Sequence, residues 1–98
     1  MSGINRAKVR NHLFISGEVQ GVNFRAGIKE RADQFRVSGF ARNLLDGQVE
    51  VLLEGERAAV LEIVGWIGQG EHLAKIKRLE SKWEIFINEF RGKEFKVG

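Results

Sequence analysis

The chain contains no cysteine, no proline and no apolar run approaching eighteen residues. Without cysteine, disulfides, thiol catalysis and zinc–thiolate sites are excluded, and a cytoplasmic location is expected. Without a long apolar run, no membrane span is expected. Met1 to Arg10 is polar and basic and lacks the apolar stretch of a signal peptide, and residues 1–7 are expected to form a loose arm. Side chains that serve general catalysis are also scarce. His12 and His72 stand alone, with no second ligand at metal spacing, so no metal and no cofactor are expected. His12 lies five residues before Gly17, roughly 15 Å away in an extended strand and too far for proton transfer there. Ser16 and Ser38 have no neighbouring base in sequence and read as structural.

Ninety-eight residues, 43% hydrophobic and 30% charged, suit one soluble domain with a modest core. The net charge of +3 suits an anionic substrate. The densest basic cluster, Lys75, Lys77, Arg78 and Lys82, reads as a solvated strand face. Glu50 and Glu54 read the same way, as alternating strand carboxylates facing water.

The most informative stretch runs from Gly17 to Arg25, Gly-Glu-Val-Gln-Gly-Val-Asn-Phe-Arg. The apolar run Leu13-Phe14-Ile15 leads into it. A helical stripe of Phe24, Ile28, Ala32 and Phe35 leads out of it. Strand, glycine loop and helix in that order aim several backbone N–H groups at one point, with the positive end of the helix dipole behind them. Arg25, in the first helical turn, adds a planar fork of donors that matches a phosphoryl group. The motif lacks the endings of a P-loop or a dinucleotide loop. Spacing alone is equally compatible with a tight turn whose arginine makes a surface ion pair.

Gly17 to Arg25 matches the first acylphosphatase signature, G-x-V-Q-G-V-x-F-R, at every fixed position. Gly39-Phe40-Ala41-Arg42-Asn43 resembles the second: glycine, aromatic, small, basic, asparagine. The chain therefore resembles the acylphosphatase family from about Lys8 to its end. The resemblance implies a small-molecule acyl phosphate as substrate, with Arg25 binding its phosphate and Asn43 orienting the attacking water. The backbone amides of Gln20, Gly21, Val22, Asn23 and Phe24 would complete the phosphate cradle. Arg42 alternates away from Asn43 and takes no catalytic role. Phe40 reads as core or sheet packing, and Trp66 as rim packing. Relatives often carry proline where Leu45 and the second residue of Gly70-Glu71 stand, and a smaller residue where Asn23 stands.

The remaining elements follow from alternation and helical spacing. Strands are expected at Val9–Ile15, Val37–Leu44, Gln48–Glu54 and Lys75–Ile87, with a short edge strand within Glu94–Val97. Ile76 is out of phase with Leu79, Trp83 and Ile85, which predicts a bulge. Helices are expected from the signature loop to about Arg36, capped by Asn23, and from Glu56 to about Gly68, with Gln69 to Leu73 as a loop. Gly27, inside the first helix, is either required by close packing or merely tolerated. This order is the α+β, ferredoxin-like βαββαβ sandwich, a mostly antiparallel sheet with two helices on one face. Three functions compete. The first is a metal-independent acylphosphatase, monomeric and without nucleic-acid or membrane partners. The second is a non-catalytic acylphosphatase-like module that holds a phosphate ligand. The third is a nucleic-acid binder, against which stands the absence of an aromatic RNP signature.

Overall fold

The computed structural model describes residues 7–21, 23–69 and 74–98. Residues 1–6 of the expected arm, Val22 of the cradle, His72, and positions 70–73 of the expected loop lie outside the described residues. The elements are β1 (Lys8–Glu18), α1 (Phe24–Gln34), β2 (Ser38–Asn43), β3 (Val49–Glu56), α2 (Arg57–Gln69), β4 (Lys75–Glu84) and β5 (Lys96–Val97). They form one five-stranded sheet in the order β4-β1-β3-β2-β5. All pairings are antiparallel except β2 with β5. This is the expected ferredoxin-like arrangement, with the short edge strand in place.

Strand alternation sorts the side chains. Leu13 and Ile15 of β1 and Val49, Val51 and Leu53 of β3 are fully buried on one face. Phe24, Ile28 and Ala32 of α1 and Val60, Ile63 and Ile67 of α2 pack into the same core. Each Val, Leu, Ile or Phe among them contributes on the order of 1.5–3 kcal/mol of burial. Both helices thus cover one face of the sheet.

Helix α1 stops at Gln34, two residues short of the expected end. Val37 N–H donates to Ala32 C=O at 2.8 Å and Arg36 N–H to Asp33 C=O at 3.3 Å, with Arg36 left-handed at φ 57°. That closure satisfies the last carbonyls and turns the chain into β2. Gly27 is required by close packing, because a Cβ there would lie 2.8 Å from Trp66 Cη2. The indole stacks on Phe24 at 6.3 Å and lies under the Arg31 guanidinium at 4.0 Å, so it has no room to yield.

The expected bulge is present. Ser16 pairs with Arg78 but Gly17 pairs with Ile76, which leaves Lys77 as the extra residue. Gly17, at φ 127°, approaches β4 so closely that a Cβ would lie 2.2 Å from Lys75 O. Strand β4 ends at Glu84 rather than Ile87, because the following backbone turns to cover the other sheet face. There Ile87 N–H and Glu89 N–H donate to the Glu54 carboxylate at 3.0 and 2.8 Å.

Those contacts correct the expectation for Glu50 and Glu54. Neither faces water: they are 7% and 3% exposed. Central strand β3 is flanked by β1 and β2, whose side chains meet them. Arg10 reaches Glu54 at 3.1 Å, Glu84 at 2.9 Å and Glu89 at 2.9 Å. His12 Nε2 lies 2.7 Å from Glu50 and Nδ1 3.0 Å from Glu84, and Arg42 Nε lies 2.7 Å from Glu50. The helix-free face carries a charge network whose inner carboxylates, Glu50 and Glu54, are buried.

Candidate active site

The loop after β1 is anchored at both ends by buried apolar side chains, Val19 and Phe24. Between them Gly21 has φ 77° and Asn23 has φ 59° and ψ 21°. Both are left-handed, a conformation that glycine adopts freely and asparagine tolerates better than most residues. Asn23 occupies the N-cap position of α1, but its side chain makes no cap hydrogen bond, contrary to expectation. Capping needs extended backbone geometry, and the left-handed turn carries the amide side chain away from the first-turn N–H groups. Asn23 C=O still accepts Gly27 N–H at 3.1 Å and so begins the helix.

Arg25 lies in the first turn of α1, partly exposed. Its Nη1 donates to the main-chain oxygen of Gly98. Gly98 N–H in turn donates to Ala41 C=O at 3.0 Å, and β5 runs parallel to β2 with Val97 beside Ala41. The guanidinium is therefore tied to β2 two residues before Asn43. Lys29, one turn further along α1, donates to Phe95 C=O at 2.9 Å and pairs with Glu94 at 2.7 Å and Asp33 at 3.0 Å. The bonds to Phe95 and Glu94 hold the C-terminal segment against α1.

Asn43 is the exposed last residue of β2. Its partner across the sheet is Val49, which also pairs with Ile15. Ile15, Val49 and Asn43 therefore form a row, about 9.6 Å from end to end at the usual strand spacing. Val49 is buried beneath the helices, so Asn43, directly opposite, faces the helix side too. Arg42 faces the other side and pairs with Glu50, as alternation predicts. The C-terminal ends of β1 and β2, the signature loop and the first turn of α1 thus converge at one end of the sheet.

The Gln20 side chain spans that convergence. Its Nε2 donates to Leu44 C=O and to Gln48 C=O, each at 2.9 Å. A shallow cavity of about 190 Å³ is lined by Val19, Gly21, Asn23, Phe24, Arg25, Ala26 and Val97. Asn43 is not part of its wall but ends the neighbouring strand. A larger groove of about 450 Å³ lies between Phe40 and Phe90, outside the loop and without Arg25 or Asn43 in its wall.

His12 sits on the opposite sheet face, held by Glu50 and Glu84. Burial pushes the Glu50 carboxyl up, but hydrogen bonds from His12 and Arg42 outweigh it and hold it below its ordinary value. Glu84 is held low chiefly by the hydrogen bond from Arg10, then by His12. No group of three or more acidic or histidine side chains among the described residues is arranged to hold a metal ion. Sequence reasoning missed Gly98, Lys29 and the side chain of Gln20. Gly98 acts through its main-chain oxygen, which any residue would supply, so no residue type signals it. Gln20 stands at a fixed signature position, and that was the one available sign that its side chain matters as well as its amide.

The acylphosphatase family model matches residues 11–97. An acylphosphatase from Roseiflexus sp. is 48% identical over 83 residues, 85% of this chain and 89% of that protein. One from Chloroflexus aurantiacus is 49% identical over 76 residues, 78% of this chain and 83% of that protein. The crystal structure of acylphosphatase from Bacillus subtilis superposes with a TM-score of 0.82 at 26% identity, covering 92% of this chain and 98% of that one.

Proposed function

The chain belongs to the acylphosphatase family, and we propose that it hydrolyses the carboxyl–phosphate bond of small acyl phosphates to a carboxylate and inorganic phosphate. The observation that carries this is the convergence at one sheet end of the signature loop, Arg25 and Asn43, linked through the Ile15–Val49–Asn43 row. An acyl phosphate is a mixed anhydride with a good carboxylate leaving group, so the protein's task is to neutralise phosphoryl charge and place a water in line. The Arg25 guanidinium and the amides of residues 20–24 hold the phosphoryl oxygens. The Asn43 side chain, which both accepts and donates hydrogen bonds, orients the water. The water oxygen bonds to phosphorus as the bond from phosphorus to the acyl oxygen breaks. The acyl group leaves as carboxylate, and the water's surplus proton passes to solvent or to the product phosphate. No step requires a metal ion.

Among the described residues, no helix is long and apolar enough to cross a membrane. The cysteine-free sequence supports a cytoplasmic enzyme, and we expect a monomer that binds no nucleic acid. The test is phosphate release from acetyl or benzoyl phosphate with and without EDTA. Turnover that survives chelation is expected. Loss on chelation, restored by zinc or magnesium, would overturn the metal-independent mechanism. Phosphate binding without any turnover would favour a module that only holds a phosphorylated ligand.

A further inference from the structure

We propose that the Gln20 side chain is a positioning residue for Asn43, a role separate from any contact its backbone amide makes with phosphate. The inference rests on the assignment of Asn43 to the water. Asn43 is the last residue of β2, and the hairpin that follows must hold it in place. That hairpin is closed by Leu44 N–H to Gln48 C=O at 2.8 Å and by Gly47 N–H to Leu44 C=O at 3.1 Å. Among the described residues its tip has little else to hold it: Leu45 is fully exposed, and Asp46 bonds to Gln48 within the turn. Among the described residues, the side-chain clamp on this turn from outside the hairpin is Gln20. The two hydrogens of its single NH₂ group match the two carbonyl oxygens at the hairpin mouth, those of Leu44 and Gln48. The peptide unit that carries the Leu44 oxygen begins one residue after Asn43. The clamp therefore fixes the end of β2 relative to the signature loop, and with it the distance between the water-orienting amide and the bound phosphoryl group. Proximity effects of this kind are steep: a displacement near 1 Å can cost about a hundredfold in rate.

The side chain's chemistry makes the inference testable. Methionine matches glutamine in length but offers no donor. Glutamate matches it in shape, but when ionised it turns acceptor oxygens against two carbonyl oxygens and is repelled. Protonation restores one donor. Wild type, Asn43→Ala, Gln20→Met, Gln20→Glu and the double variant Gln20→Met/Asn43→Ala would be assayed on benzoyl phosphate across pH. Phosphate-induced Tm shifts would be measured in parallel. Gln20→Met is expected to lower kcat by about tenfold or more, with KM and the phosphate-induced Tm shift retained. Gln20→Glu is expected to be slower still at neutral pH. Its kcat relative to wild type at the same pH, a ratio that cancels the substrate's own ionisation, should rise as the carboxyl protonates. In the double variant, Gln20→Met should cost nothing beyond Asn43→Ala, because its effect passes through Asn43. Should Gln20→Glu fail to fold, Gln20→Met and the double variant carry the test. A wild type without turnover would overturn the proposed activity and this inference with it. With turnover in wild type and loss in Asn43→Ala, the inference alone is overturned by a Gln20→Met kcat at wild-type level, by additive losses in the double variant, or by loss of the phosphate response in Gln20→Met.

Discussion

Arg10 and Arg25 sit on opposite faces of the same sheet and have opposite surroundings. Arg10 is gripped by Glu54, Glu84 and Glu89, and Glu54 is almost wholly buried. Burial works against its charge, but the three carboxylates outweigh that and hold its pKa well above the ordinary arginine value. Among the described residues Arg25 has a single acceptor, the Gly98 main-chain oxygen, and it borders an open cavity. An arginine whose fork is filled by fixed carboxylates holds structure. One held at a single donor, beside glycine-loop amides, keeps donors for a ligand. Charge and residue type are identical in the two; the partners that the sheet brings to each decide its role.

The largest expected effect tests Arg25. Arg25→Ala should lower kcat/KM by about 10³-fold or more, the scale of a lost phosphoryl-binding arginine. It should also abolish the phosphate-induced rise in Tm, which reports binding to the native state. Arg25→Lys should remain impaired, because a point charge does not reproduce the fork. An unchanged phosphate response in Arg25→Ala would remove the contrast with Arg10.

Asn43→Ala should lower kcat by about 10²–10³-fold, as when a preorganised polar group is removed, while phosphate still raises Tm. Steady-state kinetics beside thermal shifts separate the two residues. Full activity in Asn43→Ala would detach the second signature from the chemistry.

Arg10→Ala should do the reverse of Arg25→Ala. It leaves the Glu54 carboxylate buried without its cation and should destabilise the fold by about 3 kcal/mol, read by urea unfolding. Activity per folded molecule should stay close to wild type. A selective loss of kcat in a stable Arg10→Ala protein would mean that the charged face takes part in turnover.

The smallest expected effect is in pH. Glu50 and Glu84 have folded pKa values below their ordinary value of 4.5. Their contribution to stability is therefore fully present above that value and is lost as pH falls below it, through the folded pKa. Tm should decline on acidification below about pH 4.5, and Glu50→Gln should flatten that decline. His12→Gln should weaken the same network without removing any limb of the activity profile between about pH 6 and 8, where a catalytic histidine would titrate. Loss of such a limb would identify His12 as a base acting on the reaction.

Much of the fold was legible because its signals are local. Alternation through Val49, Val51 and Leu53 marked β3, and the stripe of Phe24, Ile28 and Ala32 marked α1. The phase slip at Ile76 marked the bulge that the Gly17–Ile76 register shows. Less legible was what each polar residue would meet. Glu50 and Glu54 alternate like solvated residues, and only their pairing with β1 and β2, together with the segment after Glu84, buries them. Asn23 has the residue type of a cap, but its left-handed backbone removes the cap bond.

By itself the sequence determined the elements, their order, and the two signature segments that hold Arg25 and Asn43. These depend on residue type and short spacing, which the chain carries wherever it folds. Tertiary structure alone decided that Asn43 and Ile15 share Val49 as a neighbour, that Gln20 clamps the hairpin after Asn43, and that Arg25 rests on Gly98 while Arg10 is enclosed by three carboxylates. The side-chain contacts among these join residues 24 to 79 positions apart. They arise from strand register and helix docking, which are set by the burial of the whole core rather than by any stretch of the chain.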